Sequence, residues 1–110
     1  IQSVLDLVEF EKQLEGADLV ITGEGKIDGQ SLRGKVVAGI AERAKKQAVP
    51  VLVIVGAIGE EAEKAYDLGV SAIFSINRAA MPFEESRHHS KENLALTIDS
   101  LMRFQRLFDR

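Results

Sequence analysis

Ile21-Thr22-Gly23-Glu24-Gly25-Lys26-Ile27-Asp28-Gly29-Gln30-Ser31-Leu32-Arg33-Gly34-Lys35 joins an apolar run to an amphipathic one, and the kind of joint it makes decides the fold. Upstream, Ala17 to Thr22 reads as a buried strand. Downstream, Ser31 to Gln47 reads as a helix. Leu32, Val36, Val37, Ile40, Ala41, Ala44 and Ala48 recur on one face at helical steps, and Glu42, Arg43, Lys45, Lys46 and Gln47 fill the other. The connector from Gly23 to Gln30 exceeds the roughly 2 to 6 residues usual between strand and helix. A long polar loop at a strand's carboxyl end is where open α/β sheets bind ligands. The fifteen residues hold four glycines, two carboxylates, three cations, an amide and two hydroxyls, which suits a small anionic substrate.

The rest of the chain repeats the alternation. Gln2 to Glu15 carries Val4, Leu5, Leu7, Val8 and Leu14, read as one helix or as two short turns broken near Phe10, with Gly16 as its stop. Pro50 to Val55 is a second strand, and Gly56 and Gly59 bracket a turn. Glu60 and Glu61 open a helix through Leu68, where acids favour the dipole, and Gly69 ends it. Ser71 to Ile76 is a third strand. Pro82 suits a helix start, with Glu84 and Glu85 in the first turn. A last helix spans Lys91 to Phe108, with Leu94, Ile98, Leu101, Met102 and Phe108 on its buried side. The order α-β-α-β-α-β-α implies parallel strands with right-handed crossovers. The fold class is therefore α/β: a three-layer sandwich on a small parallel sheet, Rossmann-like, as one domain over residues 1–110.

Composition narrows the function. The 110 residues are 45% hydrophobic but only 5% aromatic, so aliphatic side chains build the core. Net charge is -3, with no basic face and few rings for base stacking, which argues against nucleic acid. There is no cysteine, so disulfides and thiolate metal sites are excluded and a reducing compartment is allowed. No apolar run nears the roughly 20 residues of a membrane helix, and no signal-peptide pattern opens the chain. A cytoplasmic location is expected, with no membrane partner. The chain begins at Ile1 in what reads like mid-protein sequence, as expected of a piece of a longer polypeptide.

Two phosphate-binding patterns nearly match and fail. Gly23-Glu24-Gly25-Lys26-Ile27-Asp28 starts like G-x-G-x-x-G but has Asp28 for the third glycine, which speaks against a nicotinamide dinucleotide. Gly29-Gln30-Ser31-Leu32-Arg33-Gly34-Lys35-Val36 fits G-x-x-x-x-G-K but ends in Val36, where magnesium needs Ser or Thr. A different site fits better. Amides around Gly23, Gly25 and the helix start can receive an anion, and Lys26 and Lys35 add charge. Asp28 or Glu24 can hold magnesium or take a proton from a hydroxyl. Such a set serves phosphoryl transfer to an alcohol. The same residues have plainer readings. Asp28 and Ser31 can simply cap the helix, Arg33 can be solvated, and Lys35 can pair with an acid. Gly39 suits close packing, and Gly34 is open between packing and ligand.

Gly16-Ala17-Asp18-Leu19-Val20-Ile21-Thr22-Gly23-Glu24-Gly25, followed by Lys26, Asp28, Gln30, Ser31, Gly34 and Lys35, closely resembles the loop G-A-D-L-V-I-T-G-E-G-R-x-D-x-Q-T-x-x-G-K of the type I glycerate kinases, the glycerate 2-kinase family. Val49-Pro50-Val51 with Gly56, Ser75-Ile76 and Glu84-Glu85 extend the likeness over nearly the whole chain. That family's enzymes are longer, two-domain α/β proteins, and this chain is similar to about their last third. The resemblance implies ATP- and magnesium-dependent phosphorylation of glycerate, usually to the 2-phospho product, with ATP and Mg as cofactors. It implies that Glu24, Lys26, Asp28, Gln30 and Lys35 line the cleft between domains. Lys26 stands for the usual Arg and so loses a bidentate grip; Ser31 stands for the usual Thr.

On these grounds the expected catalytic residues are Asp28 and Lys26. Gly23, Glu24, Gly25, Gln30, Ser31 and Lys35 are the substrate- and phosphate-binding set. Gly56-Ala57-Ile58-Gly59 reads as turn or ligand contact, Arg78 after Asn77 as anion clamp or surface residue, and His88-His89 as solvated. The 110 residues alone are expected not to turn over glycerate, since further ligands lie in the rest of the polypeptide. Apolar surface exposed by its absence leaves a homodimer open. The alternative function is a non-catalytic nucleotide- or anion-binding module of Rossmann-like fold.

Overall fold

Three strands make the sheet: β1 (Val20–Ile27), β2 (Val51–Ile58) and β3 (Ala72–Ser75), in the order β1-β2-β3. β1 and β2 are parallel, with Val20 opposite Val51 and Ile27 opposite Ile58. Helical crossovers between successive strands enforce this sense, since parallel neighbours cannot be joined by a tight turn. The computed structural model describes residues 2–34 and 36–108, so expectations for Lys35 lie outside the described residues. The chain divides into two compact units, one ending at Phe74 and the other beginning at Ser75. The architecture is the expected α/β sandwich, a small parallel sheet flanked by helices in a Rossmann-like arrangement.

In the first unit, α1 (Gln2–Leu7) and α2 (Phe10–Leu14) realise the broken alternative at the N-terminus. The break falls at Glu9, which is left-handed at φ 53, and Gly16 at φ 76 follows α2. The single helix expected over 31–47 is two: α3 (Gly29–Arg33) and α4 (Val36–Lys46). Gly34 separates them, its N–H turned back to the Ser31 carbonyl. Ala48 lies beyond α4, exposed, at φ 57. Val49 N–H closes on the Ala44 carbonyl at 3.0 Å, a Schellman stop with alanine where glycine is usual. Residues Ala62–Leu68 wind as a 3₁₀ helix rather than an α-helix, and Gly69 at φ 112 ends it.

β2 is buried on both faces, with Leu52 and Ile54 on one and the main core cluster on the other. Val51, Val53 and Val55 are buried with Leu14, Leu32, Val37, Ala41, Ala44, Ala62 and Ala65. Side chains alternate across a strand, so α2, α3, α4 and the 3₁₀ helix share this side of the sheet. Gly39 of α4 is buried as well.

The strands differ from expectation at their carboxyl ends. β1 runs to Ile27 instead of Thr22, and β2 to Ile58 instead of Val55. Gly23 pairs with Ile54, Glu24 with Val55 and Lys26 with Ala57. Gly23 and Gly25, which read as loop, lie within the strand. The physical reason is at Gly56, where a Cβ would stand 2.8 Å from the Gly25 carbonyl oxygen. Glycine here admits a neighbouring backbone rather than a loop conformation.

In the second unit, Pro82 opens α5 (Phe83–Ser86) with Glu84 and Glu85 in its first turn. A 3₁₀ turn (Arg87–His89) leads to α6 (Ser90–Arg106). The expected buried side of this helix is only partly buried. Ile98 and Leu101 are half-buried, whereas Leu94, Met102 and Phe108 are exposed. Thr97 is the buried residue of α6. The helix is amphipathic in pattern, with Thr97, Ile98 and Leu101 its better-covered positions.

Candidate functional site

β1 passes into α3 through one residue, Asp28, whose backbone is extended at φ -159. Asp28 Oδ1 accepts the Ser31 N–H at 2.7 Å, and the Asp28 N–H donates to Ser31 Oγ at 2.9 Å. This capping box uses Ser31 as its reciprocal partner, and Thr, the residue in the resembled loop, carries the same hydroxyl. Lys26 Nζ lies 3.7 Å from Asp28 Oδ2, with the lysine side chain 61% exposed and the aspartate 20%. The Ser31 amide holds the Asp28 carboxyl below its ordinary value, against some desolvation; the Ser31 side chain and the Lys26 charge add to the lowering. Asp28 is thus both helix cap and partner of Lys26.

The tail of β2 completes the surround. Gly59 N–H donates to the Ile27 carbonyl at 2.8 Å, and Gly29 N–H to the Glu60 carbonyl at 2.9 Å. A Cβ on Gly59 would stand 2.9 Å from Lys26 Cε and 3.0 Å from Asp28 Cβ. One on Gly29 would stand 2.8 Å from Glu61 Oε1. The two bare positions let Lys26, Asp28 and Glu61 crowd together. Glu61 is left-handed at φ 64 and paired with Lys64. The Lys64 hydrogen bond and charge hold its carboxyl below the ordinary value, with Arg33 adding and Asp28 opposing. Sequence reasoning missed the contact of Gly59 with this pair, and it read Glu61 only as a helix-start acid. The glycine directly after an apolar strand was the available signal.

The amides expected to receive an anion are largely engaged. Those of Asp28, Gly29, Ser31 and Leu32 all donate to the protein's own oxygens, and Gly23 and Gly25 lie within β1. Charged side chains, not a glycine nest, are what this end of the sheet offers. Glu24 is half-buried in the ladder opposite Val55, and its side chain has no hydrogen bond or ion pair among the described residues. Among the described residues no group of three or more His, Asp or Glu could hold a metal by itself. Gln30 and Arg33 are exposed on α3. Asn77, Arg78, His88 and His89 belong to the second unit, where Arg78 and both histidines are exposed. Gly56, Ala57 and Ile58 are strand, and Gly59 alone lies just beyond it.

An open parallel sheet with a lysine and carboxylates at the carboxyl ends of adjacent strands defines the class: an α/β domain with its polar site at the strand ends. Comparison with known proteins narrows it. A profile of the glycerate kinase family matches residues 1–106. Glycerate kinase of Bacillus cereus (strain ATCC 10987 / NRS 248) is 41% identical over 101 residues, 92% of this chain and 26% of that protein. Glycerate kinase of Bacillus subtilis (strain 168) is 43% identical over 97 residues, 88% of this chain and 25% of that protein. Glycerate 2-kinase of Escherichia coli (strain K12) is 34% identical over 94 residues, 86% of this chain and 25% of that protein. The chain belongs to the glycerate kinase family. It spans about a quarter of the length of these relatives. No helix among the described residues is long and apolar enough to cross a membrane.

Proposed function

We propose that this chain is part of a glycerate kinase, an enzyme that moves the γ-phosphoryl group of ATP to a hydroxyl of glycerate in the cytoplasm. The observation that supports this most is the Lys26–Asp28 pair, held over the bare Gly59 at the joined ends of β1 and β2. Lys26, largely exposed, meets the transferring phosphoryl oxygens, where fixed positive charge lowers the barrier. Asp28 Oδ1 accepts the Ser31 amide, so Oδ2 is the oxygen that holds Lys26 and receives the proton of the attacking hydroxyl. The hydroxyl oxygen forms its bond to the γ-phosphorus as the bond to the bridging oxygen of ADP breaks. The lowered basicity of Asp28 matches a proton that leaves late, since the transition state is loose and needs little base.

Gln30, exposed beside this pair in sequence, and Lys35 complete the set proposed to bind substrate. Magnesium, when bound with the nucleotide, would neutralise phosphate charge, and Glu24 is the residue that would hold it. Further ligands are assigned to the rest of such an enzyme's polypeptide, so the 110 residues alone are expected to be inactive. The test is glycerate-dependent ADP release by the full-length protein that carries this chain. Lys26→Met should lower kcat/KM about 10²–10³-fold, with the melting temperature kept because the side chain is exposed. Wild-type kinetics in that variant would remove Lys26 from the mechanism. Nucleotide binding without turnover in the full-length protein would favour the non-catalytic module instead.

A further inference from the structure

A groove of about 400 Å³ opens between α3 and the 3₁₀ helix 62–68, lined by Gly29, Leu32, Arg33, Lys64, Asp67 and Leu68. Neither Lys26 nor Asp28 lines it, and it shares Gly29 with the surround described above. The groove adjoins it, since Gly29 follows the cap Asp28 directly and Glu61 stands over Gly29. Its volume lies within the range of small-molecule pockets.

The charges on the groove decide what it can take. Lys64 is paired with Glu61, and Arg33 and Asp67 carry one charge of each sign. The lining is close to neutral overall, so a free anion gains little there. What remains is a pair of leucines, a planar guanidinium and a carboxylate acceptor. The Arg33 side chain makes no hydrogen bond or close ion pair among the described residues, although its charge acts on Glu61, so the face of its guanidinium is available for stacking. Asp67 likewise has no partner among the described residues and can accept from an exocyclic amine. Leucine walls, a stacking cation and an amine acceptor together fit a flat amino-substituted heterocycle.

We propose that this groove is the nucleobase subsite, seating the adenine of the nucleotide whose phosphates reach Lys26. This rests on the kinase reading above. The nucleotide then runs from the groove across Gly29, where a Cβ would already be too close to Glu61, to the Lys26–Asp28 pair.

The test titrates the full-length protein that carries this chain with adenosine and, separately, with inorganic phosphate, following backbone amide resonances. Adenosine should shift amides of 29–33 and 64–68, and phosphate should leave those residues unmoved. Arg33→Ala and Asp67→Asn change exposed side chains, so the fold is kept. Each should weaken adenosine binding at least fivefold, and Asp67→Asn should also narrow the preference for adenosine over inosine. Absence of adenosine shifts in those segments, or shifts that survive both variants, overturns the proposal. In the full-length protein, Arg33→Ala should raise KM for ATP and leave KM for glycerate unchanged. Glycerate phosphorylation with an unchanged KM for ATP would sink the groove alone. Adenosine shifts in the groove without any glycerate phosphorylation would sink the kinase reading alone.

Discussion

Replacing Gly56 with alanine should loosen the sheet at its functional end, while the same change at Gly25 should not. A Cβ at 56 would stand 2.8 Å from the Gly25 carbonyl oxygen. Carbon–oxygen contacts across sheets settle at about 3.3 Å or more, so β1 and β2 must part by about 0.5 Å. That takes a ladder hydrogen bond of about 2.9 Å to the edge of its useful range. Overpacking of this kind costs about 1–3 kcal/mol. The stiffer unfolded chain of an alanine variant returns about 0.5–1 kcal/mol of that. The net loss is then about 1–2 kcal/mol, or a melting temperature lower by about 5–10 °C for a unit of this size. Nothing lies within 4 Å of a Cβ built on Gly25, so Gly25→Ala should stay within about 0.5 kcal/mol of wild type. Thermal unfolding followed by circular dichroism reads both. In the full-length protein Gly56→Ala should also lose turnover, because Lys26 follows Gly25 on the displaced strand. Equal melting temperatures for Gly56→Ala and wild type would refute the close-approach argument. So would an equal loss in the two variants.

Two further outcomes follow from the local geometry. The Asp28 carboxyl has a lower pKa folded than unfolded, so the unfolded chain binds more protons through that window and stability rises with pH there. The contribution of Asp28 is complete above the unfolded value of about 3.9 and is lost as pH falls through the folded value. Urea midpoints between pH 5 and pH 3 should therefore fall more steeply for wild type than for Asp28→Asn, and parallel curves would show that the cap carries no charge-dependent stability. Ala48 sits at φ 57 in the Schellman stop of α4, a conformation that costs an alanine about 1–2 kcal/mol. Ala48→Gly should raise the urea midpoint by an amount worth about 0.5–1 kcal/mol once the looser unfolded chain is counted, with an unchanged denaturant slope.

The hydrophobic runs alone fixed the class of fold. Val51 to Val55 has no polar residue, and such apolar runs alternate with amphipathic stretches, so parallel strands with helical crossovers were legible. Gly16, Gly69 and Pro82 marked element ends because their backbone preferences act locally, whatever surrounds them. The resemblance at Gly16 to Lys35 identified the family for a similar reason, since a long ordered motif needs no coordinates. Tertiary structure decided what the glycines are for. Gly23 and Gly25 looked like loop residues because strand pairing is a non-local fact: only the approach of β2, with Gly56 bare against Gly25, turns them into strand. The same holds for the site. Lys26 and Asp28 could be listed from sequence, but their setting over Gly59 and beside Glu61 joins residues some thirty positions apart. Asp28 was legible as a helix cap and as a site carboxylate, and the folded chain makes one side chain serve as cap and as lysine partner, because the strand delivers it to both at once.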